Sequence, residues 1–402
     1  VKTKSVFISC SYFFSLLSEQ AALFKKRSET MSGEKVIKEK YLISPFLSFF
    51  IIHAMQVGVG VLSFQSEIVK ETGYDAWISV ILAGVLVNFS IACMYIILKR
   101  ADGDIIKVHQ ELFGKWIGGF LSLLIATFLL FLALIILRTY IEIVQVWVFE
   151  DLQNWCFALL SIPFFYYVVS GGFRTVVGLA FLSILITLPI YPLFLMTLEF
   201  AQYNNIVPVW KHSVLEVIEG AKVATFSYSG FELLLVYFPF LKHKELSQKW
   251  TQLGAAFTTL LYTYITLICL FFYSEEQINK TIWALLTLFK VIEFPFLERF
   301  EYIGITVWMI VVAPNIALAI WAGSRLVKRV FSLNQRHVLI VIVILLCGGA
   351  ALIPTRSAID AIASVFNQIG FYFAFVYIPF LVLLQTIVYK FKKGDTNETA
   401  GM

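Results

Sequence analysis

Residues 55–65 read MQVGVGVLSFQ, in the middle of an apolar run, 42–68, that is long enough to cross a bilayer. Gly58 and Gly60 stand one residue apart there, with Gln56 just ahead of them. A glycine costs a helix interior about 1 kcal/mol against alanine, and an amide side chain is poorly solvated by lipid. The stretch is therefore either a notch for close helix packing or a break in the helix.

The rest of the chain sets the context. Of its 402 residues 59% are hydrophobic and 14% charged, against roughly 25% charged in a soluble domain. Apolar runs of membrane-spanning length recur throughout, continuous rather than alternating, so an all-α polytopic membrane protein is expected and a β-barrel is not. The five cysteines are isolated and form no CxxC pair, which suits small packing residues.

Ten spans are expected: 42–68, 77–98, 116–148, 155–170, 177–200, 217–240, 251–273, 301–324, 337–354 and 363–389. Basic residues gather in alternate loops: Lys35, Lys38 and Lys40, then Lys99, Arg100, Lys107 and Lys115, then Arg174, then Lys242, Lys244 and Lys249, then Arg325, Lys328, Arg329 and Arg336, then Lys390, Lys392 and Lys393. The intervening loops are acidic, with Glu71, Asp75, Glu150, Asp151, Glu216, Glu219, Glu275 and Glu276. The positive-inside rule then places both termini in the cytoplasm.

The apolar run 281–297 is interrupted by Lys290, Glu293 and Pro295. Counting it as an eleventh span would put the basic cluster at 325–336 outside, so an interfacial or re-entrant segment is expected. The organisation read from these patterns is a polar extension over 1–37, a transmembrane domain over 38–393 and a short cytoplasmic tail over 394–402. Met31 opens a natural lead into span one, MSGEKVIKEKYLISP, and is a candidate translation start.

Ionisable residues inside spans are functional candidates by default. Arg138 and Glu142 lie one turn apart in span three, where an i,i+4 ion pair is expected, with a gate as the sharper reading. Glu232 in span six follows Ser229 and Gly230. Asn315, next to Pro314, is a deep amide of span eight; Asn88 is expected to pack against a neighbouring helix and His53 to be a hydrogen-bonded packing residue. No G-x-S-x-G, H-E-x-x-H, Walker A or CxxC motif occurs, so an enzyme is not expected, nor a cofactor or metal.

A second interruption, Ser227-Tyr228-Ser229-Gly230 in span six, answers the first. The two lie five spans apart, and a pair of Gly-interrupted segments in corresponding positions is the pointer to an inverted-repeat transporter fold. The expected architecture is a 5+5 inverted repeat with helices one and six broken at the midplane. Freed N–H groups there would hold an anionic group, commonly a carboxylate.

GVGVL in span one and FSYSGFE in span six resemble elements of the amino acid–polyamine–organocation (APC, LeuT-like) transporter superfamily. More narrowly, residues 38–393 resemble the B subunits of spore germinant receptors, the GerAB family. The features are KWIGG at 115–119, Arg138-x-x-x-Glu142, GGF at 171–173 and ERFE at 298–301. The resemblance implies a nutrient sensor of the spore inner membrane that acts with an A and a C subunit and binds a small germinant such as an amino acid.

Carried over by position, the site comprises Gln56, Gly58, Val59 and Gly60 with Phe226, Ser227, Tyr228 and Ser229, walled by Phe128 and Leu132 and by Asn315. The lysine that some proton-coupled relatives place in span five has no counterpart in 177–200. The alternatives are a proton- or sodium-coupled amino acid permease with the same broken helices, or a scaffold subunit with a vestigial pocket. A nucleic-acid partner is not expected.

Overall fold

The computed structural model of the protein describes residues 37–295 and 299–399, with side chains placed as far as residue 391. The 1–37 extension therefore lies outside the described residues except for its last position, as does Glu298 of the ERFE motif.

The chain runs α1 (Leu47–Gln56), α2 (Phe64–Thr72), α3 (Ala76–Ala101), α4 (Ile105–Trp147), α5 (Asn154–Ser170) and α6 (Phe173–Thr187), which continues as a 3-10 helix over Leu188–Phe200. Then come α7 (Val214–Ser227), α8 (Leu234–Tyr237), α9 (Lys244–Phe272), α10 (Glu275–Lys280), α11 (Ala284–Leu288), α12 (Phe300–Phe331), α13 (Gln335–Leu352), α14 (Arg356–Tyr372) and α15 (Ile378–Thr399). Helix thus occupies each of the ten segments expected from hydropathy. Among the described residues seven helices are long and apolar enough to cross a membrane, or eight if the bent pair Val214–Ser227 and Phe231–Phe240 is one span. Leu47–Gln56 and Asn154–Ser170 are shorter apolar helices. An isolated parallel bridge joins Ile43 to Leu241.

Helical structure is what hydrocarbon demands, because each N–H and C=O must find its partner within the segment. The ends are specified locally. Asp104 caps α4 by accepting from the Lys107 N–H, and Ser213 with Glu216 forms a reciprocal capping box at the start of α7. Within α4 the backbone leaves helical angles at Gly114, which separates a short leading segment from the long apolar part.

The interior is built around α12, in which every residue of 311–324 is buried. It packs along α4 and against α6, α13 and α1, while α9 packs on α3 and α1. Large apolar side chains also cover the outer surface, Phe120, Leu160, Leu345 and Leu383 among them. In lipid this costs nothing, since the surrounding tails are as apolar as the side chains.

The run 281–295 forms no helix of spanning length. Its one helix is the five-residue α11, which packs on α2 and on the 3-10 turn Gly60–Leu62. An eleventh span is thereby excluded over the described part of that run.

Candidate functional site

Both expected interruptions are real breaks. In the first, α1 stops at Gln56, residues 57–59 leave the helix, a single 3-10 turn covers Gly60–Leu62, and α2 restarts at Phe64. In the second, α7 stops at Ser227 and the following Phe231–Phe240 segment is inclined to it by 57°. Gly230 turns the corner at φ +114°, a conformation that a side chain resists.

The breaks meet each other and α12. A Cβ on Gly230 would lie 2.9 Å from the Met55 carbonyl oxygen, and one on Gly58 would lie 3.0 Å from the Asn315 side-chain nitrogen. At Gly60 the nearest atom is Ser227 Oγ, at 3.5 Å. Gly230 is thus a point of close approach to backbone and Gly58 to the Asn315 side chain, whereas Gly60 has ordinary van der Waals space.

The broken backbone of span one treats its donors and acceptors differently. Four successive carbonyls accept from side chains: Met55 and Val57 from Asn315 Nδ2 at 3.0 and 3.3 Å, Gln56 from the Tyr262 hydroxyl at 2.7 Å, and Gly58 from Trp308 Nε1 at 3.1 Å. Tyr262 also donates to the Ser227 carbonyl at 2.9 Å and so ties the two breaks together. The N–H groups of Gly58, Val59 and Gly60 make no hydrogen bond among the described residues. Nor do both polar atoms of the Gln56 side chain and Oδ1 of Asn315, although these three atoms are buried. Buried polar groups are nearly always satisfied, so the junction presents unmet hydrogen-bonding capacity to something small.

Aromatic rings flank it. Phe128 of α4 stacks on Phe366 of α14 at 4.4 Å and lies 5.5 Å from Phe373, while Phe226 meets Phe366 edge-on at 6.2 Å. Towards the basic-loop ends, Trp321 stacks on Phe173 at 4.1 Å and meets Phe240 at 5.2 Å. Phe289, which follows α11, packs against Trp308 on the other side.

Of the expected site residues, the structure gathers Gln56, Gly58, Val59, Gly60, Ser227 and Asn315 at the junction, with Phe128 and Phe226 meeting at the Phe366 ring. Leu132 is buried in α4 and Ser229 is half-buried, its N–H bonded to the Phe226 carbonyl. Tyr228 departs from the expectation: its hydroxyl donates to the Val80 carbonyl of α3 at 3.1 Å, so its polar end anchors a neighbouring helix. Glu232 is buried and accepts from the Gly230 N–H at 2.7 Å, which caps the restarting half of span six at its positive end.

The expected Arg138–Glu142 pair takes different partners. Glu142 pairs with Arg356 at 3.3 Å, and Arg356 also holds Asp360 and lies over the Trp283 ring. Arg138 donates through Nε to the Ile353 carbonyl at 2.9 Å. Spacing along one helix cannot reveal a partner that a second helix supplies in place of the neighbour one turn away. Asn88 bonds to the Gly84 carbonyl of its own helix and lines an open surface groove shared with Gln248 and Gln252 of α9. His53 is a packing residue as expected, bonded to Thr258 at 2.8 Å.

Sequence reasoning missed Tyr262, Trp308, Phe366 and Arg356. The first two carry a polar tip on an aromatic body, a type that needs a partner when buried, and their place on spans packed against span one was the available signal.

The comparisons with known proteins fit this geometry. Residues 42–359 match the spore permease family, described as spore germination proteins. The chain belongs to that family. It is 40% identical over 359 residues to the spore germination protein GerQB of Bacillus cereus, covering 89% of this chain and all of that protein. It is 26% identical over 289 residues to the spore germination protein YndE of Bacillus subtilis, covering 70% of this chain and 79% of the relative. A solved Na+-coupled sialic acid symporter superposes with a TM-score of 0.59 at 12% identity, over 84% of this chain and 80% of the symporter. The protein is thus a multi-pass membrane member of a germination family with a transporter fold, and its relatives are not enzymes.

Proposed function

We propose that the protein is the nutrient-sensing subunit of a spore germination receptor, which binds a small germinant such as an amino acid where helices one and six break. The observation that carries this reading is the junction itself, with three free N–H groups in a row beside the unpartnered amides of Gln56 and Asn315. Such a row of backbone donors receives an oxygen of the ligand, most strongly a carboxylate. The surrounding architecture is ten spans in a 5+5 inverted repeat, both termini cytoplasmic, in the spore inner membrane. The described chain is almost wholly transmembrane, so the signal passes to partner subunits, the A and C subunits of the receptor. A ligand shifts a conformational equilibrium only by its differential affinity for the two states, and the broken helices are the element with two arrangements available.

The test is deletion of the gene, with optical-density loss of purified spores followed against amino acids, sugars and nucleosides, and complementation by the wild type and by Gly58→Val. Loss of the response to one nutrient class, restored by the wild type alone while the variant reaches the membrane, is the expected result. A Gly58→Val protein of normal abundance that responds normally overturns the site. The symporter-like fold supports a permease as the second reading, for which energy-dependent uptake of labelled substrate into vesicles is the discriminating result.

A further inference from the structure

Transporters with broken helices commonly hold a coupling cation on the carbonyls that the break exposes, and the solved symporter of this fold is Na+-coupled. The present chain does not fit such an ion. A hard cation of this size gathers about six oxygens, and the backbone oxygens at the break in span one are already engaged. Met55, Gln56, Val57 and Gly58 each accept from a side chain of α9 or α12. The three donors, Asn315, Tyr262 and Trp308, are essentially inaccessible, at 0, 0 and 1% exposure.

Asn315 is the telling member. Its Nδ2 lies between two carbonyl oxygens, at 3.0 and 3.3 Å, the position from which a cation would gather both. The amide orientation is forced, since the flipped form would set Oδ1 against the same two oxygens. The nearest acid of span six, Glu232, caps Gly230, and no cluster of three metal-binding side chains occurs among the described residues.

We infer that the helix break is a cation-free site: the Asn315 amide stands where a coupling ion would sit, and Tyr262 and Trp308 complete an internal clamp that keeps the span broken without Na+. Carbonyls closed and N–H groups open make a junction selective for ligand oxygens, with binding uncoupled from the sodium gradient. The inference rests on the reading of this junction as the germinant site.

The probe is 22Na+ itself, by scintillation proximity on the full chain purified in nanodiscs with whatever partner subunits accompany it. The wild type is expected to bind no saturable 22Na+ and to unfold at the same midpoint in Na+ and K+. Saturable binding, or stabilisation specific to Na+, overturns the inference. Asn315→Asp replaces the clamping nitrogen by a carboxylate oxygen and bares two carbonyls, so it should gain saturable 22Na+ binding. A folded variant that gains none refutes the claim that the amide occupies the ion's place. Should that variant not fold, Asn315→Ser, which bares the same carbonyls, is read instead by the same criterion. No germinant enters these measurements, so an unresponsive nutrient panel would overturn the proposed function and leave the cation result standing.

Discussion

Gly230→Ala tests the junction most directly. The residue sits at φ +114°, and a methyl there would lie 2.9 Å from the Met55 carbonyl oxygen and 3.0 Å from the Met55 Cβ and Cε. The backbone conformation alone costs an L-residue about 1–2 kcal/mol. Overpacking adds about 1–3 kcal/mol, and although the Met55 Cε can swing aside, its carbonyl cannot, because Asn315 holds it. The sum is about 3 kcal/mol, roughly a hundredfold in the folding equilibrium. Gly60→Ala is the matched control, since its methyl meets Ser227 Oγ at an ordinary 3.5 Å. It should stay within about 1 kcal/mol of the wild type, with some gain from a stiffer unfolded chain. Denaturant unfolding of both purified variants, with germination of complemented spores alongside, reads the difference. Gly230→Ala unfolding like the wild type, or both variants failing alike, would refute the close approach of the two breaks.

Three further substitutions probe other parts of the same site. Tyr262→Phe removes one hydroxyl and leaves the Gln56 and Ser227 carbonyls unpartnered, a loss of about 1–3 kcal/mol in unfolding together with a weakened nutrient response; an unchanged midpoint would mean that the clamp does not hold the breaks together. Phe128→Ala opens the wall at Phe366 and should cost about 3–5 kcal/mol, whereas Phe128→Leu should retain abundance and shift the nutrient dose-response; equal effects of the two in immunoblots and optical-density assays would deny the ring a place in the wall. Arg356→Ala leaves Glu142 without the partner it has in α14, so accumulation should fall and Arg356→Lys should recover part of it, whereas Arg138→Ala should spare the Glu142 contact. If Arg138→Ala and Arg356→Ala behave identically in a double-mutant cycle with Glu142→Gln, the pairing assigned here is wrong.

Much of the architecture was legible because the bilayer simplifies the code. A span must be largely apolar and satisfy its backbone within the protein, so hydropathy alone located the ten segments that helix occupies, and the basic loops alone suggested an orientation. The breaks were legible too, since Gly58, Gly60 and Gly230 are costly in a helix interior and stand in corresponding positions of spans one and six. Which atoms the breaks expose, and to what, was not. Tyr262 and Trp308 are separated from span one by some two hundred residues or more, and nothing in their local pattern says which carbonyl each will reach. The Arg138–Glu142 spacing misled for the same reason, because the partner of Glu142 was supplied by a helix that begins at residue 356. The sequence by itself determined where the apolar helical segments lie and where two of them break, through the local cost of polar groups and glycine in hydrocarbon. Only the tertiary structure decided that the acceptors of the break are closed by α9 and α12 and its donors left open, since that choice depends on side chains brought together by packing.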